Sequence, residues 1–180
     1  MPSLQDNLNP TTLISLLSTV LILGTAYVLS NRLLPAKATT RTRILFIWHA
    51  FDALIHFCLE GGFLYNCFFS YASVANTLWK DPALAVKGTP YLPAGVHFLG
   101  HADRVYGSAY GTNPLAALWR EYARADARWE GTDLTIICLE ILTVLVAGPL
   151  AVWICACLVQ DRRDAWFWMM VVAKIGRAHV

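Results

Sequence analysis

An all-α, polytopic membrane bundle is the fold class this sequence predicts, and three observations carry the prediction. Hydrophobic residues make up 57% of the 180 and charged residues only 14%, against a charged share of about 25% in soluble domains. The apolar residues are gathered into long segments. The first of these, residues 11–30 (TTLISLLSTVLILGTAYVLS), holds no charge and is long enough to cross a hydrocarbon core of about 30 Å.

Residues 11–30 read as a retained span. A cleaved leader would want a basic start and a small-residue cleavage site, but MPSLQDNLNP has one Asp and no Lys or Arg. The next loop, residues 31–43, carries Arg32, Lys37, Arg41 and Arg43 with no acid, which puts it on the cytoplasmic side. A second apolar stretch runs from Ile44 to about Ala75. Residues 76–132 then form an excursion on the other side of the membrane, since Pro82, Pro90, Pro93 and Pro114 preclude one continuous helix. After Pro114, LAALWREYARADARW alternates apolar and charged residues at helical spacing, predicting a short amphipathic helix. A third span runs from Leu134 to Val159, with Glu140 as its one charge and a bend expected at Gly148-Pro149. DRRD at 161–164 returns to the cytoplasm, and a fourth apolar segment starts at Ala165. Trp153, Trp166 and Trp168 read as interface or cavity-wall aromatics.

That fourth segment collapses into KIGRAHV after some nine apolar residues, too few to span. The codons ATC GGA AGA GCA CAC GTC of a common sequencing adapter encode IGRAHV. Residues 175–180 are therefore expected to be adapter read-through, with the natural protein continuing and His179 carrying no function. A genomic locus encoding IGRAHV followed by a stop codon would overturn this. The expected organisation is residues 1–43 as a first span and loop, 44–174 as an incomplete membrane domain, and 175–180 as an artefactual tail.

Candidate chemistry is concentrated in the second span, IWHAFDALIHFCLEGGFLY. Its polar residues His49, Asp52, His56 and Glu60 are spaced by three, four and four, which at 100° per residue confines them to an arc of roughly 80°. Ionisable groups in lipid are costly and usually face a bundle interior, where they handle protons, ions or ligands; an interhelical polar network is the plainer reading. Elsewhere the signals are weaker. The five cysteines (58, 67, 138, 155, 157) lack CxxC spacing and read as small buried hydrophobes. His97 and His101 would share a face if helical, but nothing nearby completes a ligand set, so loop histidines are the expectation. A zinc site built from His49, His56, Glu60 and Glu140 is allowed by residue type and is not favoured, so no metal is expected. A net charge of +2 gives no reason to expect nucleic acid.

Three blocks, IHFCLEG (55–61), LWREYARADARW (118–129) and CLEILTVLVAGPLAVW (138–153), resemble the emopamil-binding protein family of EXPERA membrane domains over about residues 44–173. The family includes sterol delta8-delta7 isomerases and the sigma-2 receptor type. The resemblance implies a five-helix membrane architecture around a sterol-shaped cavity, of which three full spans and part of a fourth are present here. It matches His56, Glu60, Glu140 and Thr143 to the family's catalytic groups, and Asp126 and Arg128 to its D-x-R. Trp129 stands where a tyrosine is usual. His49 and Asp52 fall outside the motif and read as a supporting network.

The implied function is a sterol delta8-delta7 isomerase of the endoplasmic reticulum membrane, shifting a ring double bond by protonation, carbocation stabilisation and deprotonation without cofactor. His56 and Glu60 would donate the proton, Glu140 would stabilise the cation and accept the leaving proton, and Thr143 would orient a carboxylate. The alternative is a non-catalytic membrane protein that binds sterols or amphiphilic amines, as the sigma-2 type does. The expected partners are a sterol, the lipid bilayer and, for a homodimer, a second copy of the chain.

Overall fold

Three helices of the computed structural model are long and apolar enough to cross a membrane: α1 (Pro10–Leu33), α2 (Thr40–Phe69) and α4 (Leu134–Val159). The structure describes residues 10–75, 92 and 95–176. The all-α prediction holds, with the third span at its expected bounds. The N-terminal decapeptide apart from Pro10, most of the Pro-rich 76–94 stretch, and residues 177–180 of the expected tail lie outside the described residues. Besides the spans there are a short helix α3 (Pro114–Tyr122) and a terminal helix α5 (Ala165–Gly176). At 1.5 Å per residue the 24 residues of α1 reach about 36 Å, enough for a bilayer core. Its large side chains Ile14, Leu17, Val20 and Leu21 are exposed, as a lipid-facing helix requires.

Two corrections to the sequence reading concern α2. The helix stops at Phe69 instead of running to Ala75, and Tyr71–Ser73 forms a strand, β1, antiparallel to β2 (Arg104–Tyr106) with Ala72 opposite Val105. Aromatic and β-branched residues in this pair favour the extended state. Nor is α2 wound uniformly, because Ile55–Glu60 forms a π-turn between α-helical halves Thr40–Leu54 and Gly61–Phe69. A matching π-turn, Thr143–Ala147, interrupts α4 ahead of Gly148 and Pro149. The Gly148 N–H bonds the Thr143 carbonyl five residues back, so the irregularity precedes the proline.

The chain divides into two compact units. One comprises the start of α1 with residues 61–140. Its core is aromatic: Trp129 stacks on Trp119 at 5.0 Å, and Phe63 meets both edge-on. Beside them the fully buried Asn66 donates to the Gly62 carbonyl (2.8 Å) and accepts from Asn113 Nδ2 (2.9 Å), while Ser70 Oγ lies 2.7 Å from its Oδ1. Asn113 in turn caps α3, its side chain accepting from the Ala116 N–H, and Pro114 occupies the first turn where its missing N–H is not needed. Gly107 has φ +128°, and a Cβ there would sit 2.6 Å from the Glu130 carbonyl oxygen, so only glycine fits.

The other unit comprises residues 16–60 with 141–176. Ala26, Leu34, Phe46 and Ala50 form its buried core, joined by Leu29, Ile47, Leu54, Leu158 and Val159. Thr39 caps α2 by accepting from the Thr42 N–H. Arg43 ties α2 to the end of α1 through the Ser30 carbonyl and Asn31 Oδ1. The Arg162 guanidinium lies 5.0 Å from the Trp153 ring centroid and 2.6 Å from Asp164, and Trp168 donates to Asp164. Two of the three tryptophans read as interface aromatics therefore anchor the α4–α5 loop.

Candidate active site

The two π-turns are where the second unit places its polar side chains. A π-turn inserts one extra residue into a helix, re-aiming the side chains around it, and such turns recur at functional sites. Asp52, His56, Glu60 and Thr143 line one cavity of about 250 Å³, walled otherwise by Trp48, Ala147, Val172, Ala173 and Ile175. The helices approach closely because position 148 has no side chain; a Cβ at Gly148 would lie 3.0 Å from the Phe57 ring and 3.3 Å from His56 Cβ.

Within the cavity the His56 imidazole stands between two acids. Its Nδ1 is 2.6 Å from Glu60 Oε2, a short charge-assisted hydrogen bond. Its Nε2 is 3.6 Å from Asp52 Oδ2, within ion-pair range. Both carboxylates sit four residues from the histidine, one on either side. The apolar wall beside them lowers the local polarity, which strengthens these contacts. Such a cluster can hold a proton, pass it on, or attract a cation.

The other expected site residues are distributed as follows. His49 is buried, and its Nδ1 meets no hydrogen-bond partner among the described residues. Glu140 is buried on α4 one turn before Thr143, and belongs to the first unit. Asp126 and Arg128 pair with each other at 2.6 Å at the surface of that unit, and the Arg128 hydrogen bond holds the Asp126 carboxyl below the usual carboxylate range. Trp129 is a core aromatic, as described above. The LWREY block is likewise structural. Trp119 is in the core, Arg120 donates to the Ser108 and Gly111 carbonyls, and Glu121 accepts from Thr12 and Arg124.

His97 and His101 flank a three-residue 3₁₀ turn, both with extended backbone, so they are loop histidines as expected. One expectation needs correction. Cys58 and Cys138 are exposed on their spans instead of buried, which their small, weakly polar side chains tolerate in lipid. The cavity walls contributed by Trp48 and α5 have no signature in the sequence. Ile175, the first residue of the expected tail, is one of them.

Residues 114–175 match the family model described as EXPERA (EXPanded EBP superfamily). The chain is 27% identical over 129 residues to a Cavia porcellus protein named 3-beta-hydroxysteroid-Delta(8),Delta(7)-isomerase, covering 72% of this chain and 40% of that one. A Rattus norvegicus protein of the same name is 25% identical over 162 residues, covering 90% and 53%. An Arabidopsis thaliana protein named as a probable isomerase of this kind is 25% identical over 132 residues, covering 73% and 41%. The chain thus spans about half the length of the curated relatives it matches. The family match contains Glu140 and Thr143 but ends short of α2. An alignment over 90% of the chain necessarily runs through His56 and Glu60 as well.

Proposed function

Because residues 114–175 match the EXPERA family model, we propose that the protein is a sterol delta8-delta7 isomerase acting inside the endoplasmic reticulum membrane. The observation that carries this reading is the His56–Glu60 hydrogen bond of 2.6 Å on the wall of a largely apolar cavity. Protonating an unactivated alkene needs an acid held dry against it, and the carbocation that follows needs negative charge nearby and no nucleophilic water. A half-buried imidazole–carboxylate pair meets the first need. Fixed carboxylates against a largely apolar wall meet the second.

In this mechanism His56 and Glu60 deliver a proton to one ring carbon. The electron pair of the neighbouring C–H bond then re-forms the double bond, and a carboxylate takes the released proton. By the sequence resemblance alone, Glu140 would be the cation-stabilising and proton-accepting carboxylate; Thr143, which lines the cavity, is assigned as the hydroxyl that orients an acid. Protons alone are exchanged, so the chemistry asks for no redox cofactor. The cavity is smaller than the ~300–1,000 Å³ of pockets that enclose a whole drug-sized ligand, so it would take only the reacting rings of a sterol.

The test is expression of the complete gene in cells lacking sterol isomerase, with delta7 sterols scored by mass spectrometry. The wild type should restore them, and His56→Ala or Glu60→Ala should lower the rate by roughly 10²–10⁴-fold while still entering the membrane fraction. Turnover retained by either variant would refute the assignment. Saturable sterol or amine binding without any delta7 product would replace the enzyme with the binding protein of the sigma-2 type.

A further inference from the structure

Glu60 alone would be enough to fix the tautomer of His56, yet a second carboxylate faces the other ring nitrogen. An acid in a membrane span is costly unless it is paired or reaches water, so the place of Asp52 calls for a reason. Its Oδ2 lies 3.6 Å from Nε2, opposite the 2.6 Å Glu60 bond at Nδ1. Exposure rises toward it: the His56 side chain is 12% accessible, Glu60 18% and Asp52 31%. All three line the same cavity.

Resting on the isomerase reading, we propose that Asp52 is the proton-entry group of an Asp52–His56–Glu60 relay, a positioning residue that refills the donor from solvent after each turnover. An imidazole passes protons without turning over, because one can arrive at Nε2 while a different one leaves from Nδ1. The 3.6 Å link is of the kind that is loose in an unliganded site and tightens when the site is filled. The balance is closed. The new C–H bond takes its proton from the relay, leaving the relay one short. The C–H bond that breaks gives one proton to the accepting carboxylate, which loses it to solvent, and Asp52 takes one from solvent. No electrons leave or enter.

The experiment is turnover of a delta8 3β-hydroxysterol in D2O by membranes of isomerase-deficient cells carrying the complete gene product, with deuterium counted in the delta7 product. Wild-type product should carry one solvent deuteron in most molecules. Asp52→Asn should turn over more slowly and give product with at least two-fold less deuterium, because the donor is then refilled by the hydrogen taken from the substrate; Asp52→Glu should restore the wild-type label. A merely structural role for Asp52 would slow the rate and leave the label unchanged, and that result overturns the proposal. Should Asp52→Asn make no product, added formate should restore turnover as a soluble proton carrier, and silence to both formate and Asp52→Glu overturns the relay. A wild type that makes no delta7 sterol is a different outcome: it removes the isomerase reading, and the relay falls with it.

Discussion

Asn66 makes hydrogen bonds to three other residues from a fully buried position in an otherwise apolar helical segment, linking Gly62, Ser70 and the helix-capping Asn113. Gly62 and Ser70 are each four residues away, but Asn113 lies 47 residues away in sequence, and nothing within the span required that contact. Asn66→Ala would strand the Asn113 amide and the Ser70 hydroxyl, costing about 1–3 kcal/mol, and the thermal midpoint of the purified protein in detergent should drop accordingly. An unchanged midpoint would remove Asn66 as the centre of that network. His56 and Glu60 lie at the opposite extreme of legibility. Their spacing of four within an apolar run was enough to pair them, because helix geometry brings such residues together whatever packs around them. Asp52 was legible only as a neighbour on the same face, and its place against Nε2 depends on how α2 is wound locally.

That winding belongs to the scale of the element. Long apolar runs make the spans readable, because a bilayer demands length and composition and little else. A π-turn is set by packing and by the register of one helix against another, neither of which a single segment encodes. The GP dipeptide at 148–149 marks the irregular part of α4 and predicts a proline bend, where the structure has a π-turn just before it. The β1–β2 pair was hidden for a similar reason, since the partners are some thirty residues apart and β1 continues an apolar run. Gly148 gives the π-turns a direct test. Its neighbour Phe57 is 43% exposed and free to swing, so Gly148→Ala should cost less than about 1.5 kcal/mol and keep most of the activity. Gly148→Leu should overpack the contact by about 1–3 kcal/mol and displace His56, reducing the yield of delta7 sterol far more than it reduces the amount of protein in the membrane. Equal activity in the two variants would show that the close approach at Gly148 does not position the histidine.

For the whole molecule, connectivity and charge together predict a membrane orientation that can be measured. If α2 spans the bilayer, it separates the α1–α2 loop from the segment between α2 and α4, so Lys37 and Thr112 are expected on opposite sides. Another span, α4, brings the chain back to Arg163, on the side of Lys37. Residues 31–43 hold four basic residues and no acid, whereas the long opposite segment mixes Arg104, Arg120, Arg124 and Arg128 with Asp103, Glu121, Asp126 and Asp133. The positive-inside rule then assigns Lys37 and Arg163 to the cytoplasm. The native chain supplies its own blank, since each of its five cysteines sits on α2 or α4, where a membrane-impermeant maleimide has poor access. In sealed vesicles with the cytoplasmic face outward, Lys37→Cys and Arg163→Cys should label at once, and Thr112→Cys only after detergent opens the membrane. Labelling of Thr112→Cys alone in intact vesicles would invert the orientation. Simultaneous labelling of Lys37→Cys and Thr112→Cys would mean that α2 does not cross, and the His56 cavity could not then be a site within the bilayer.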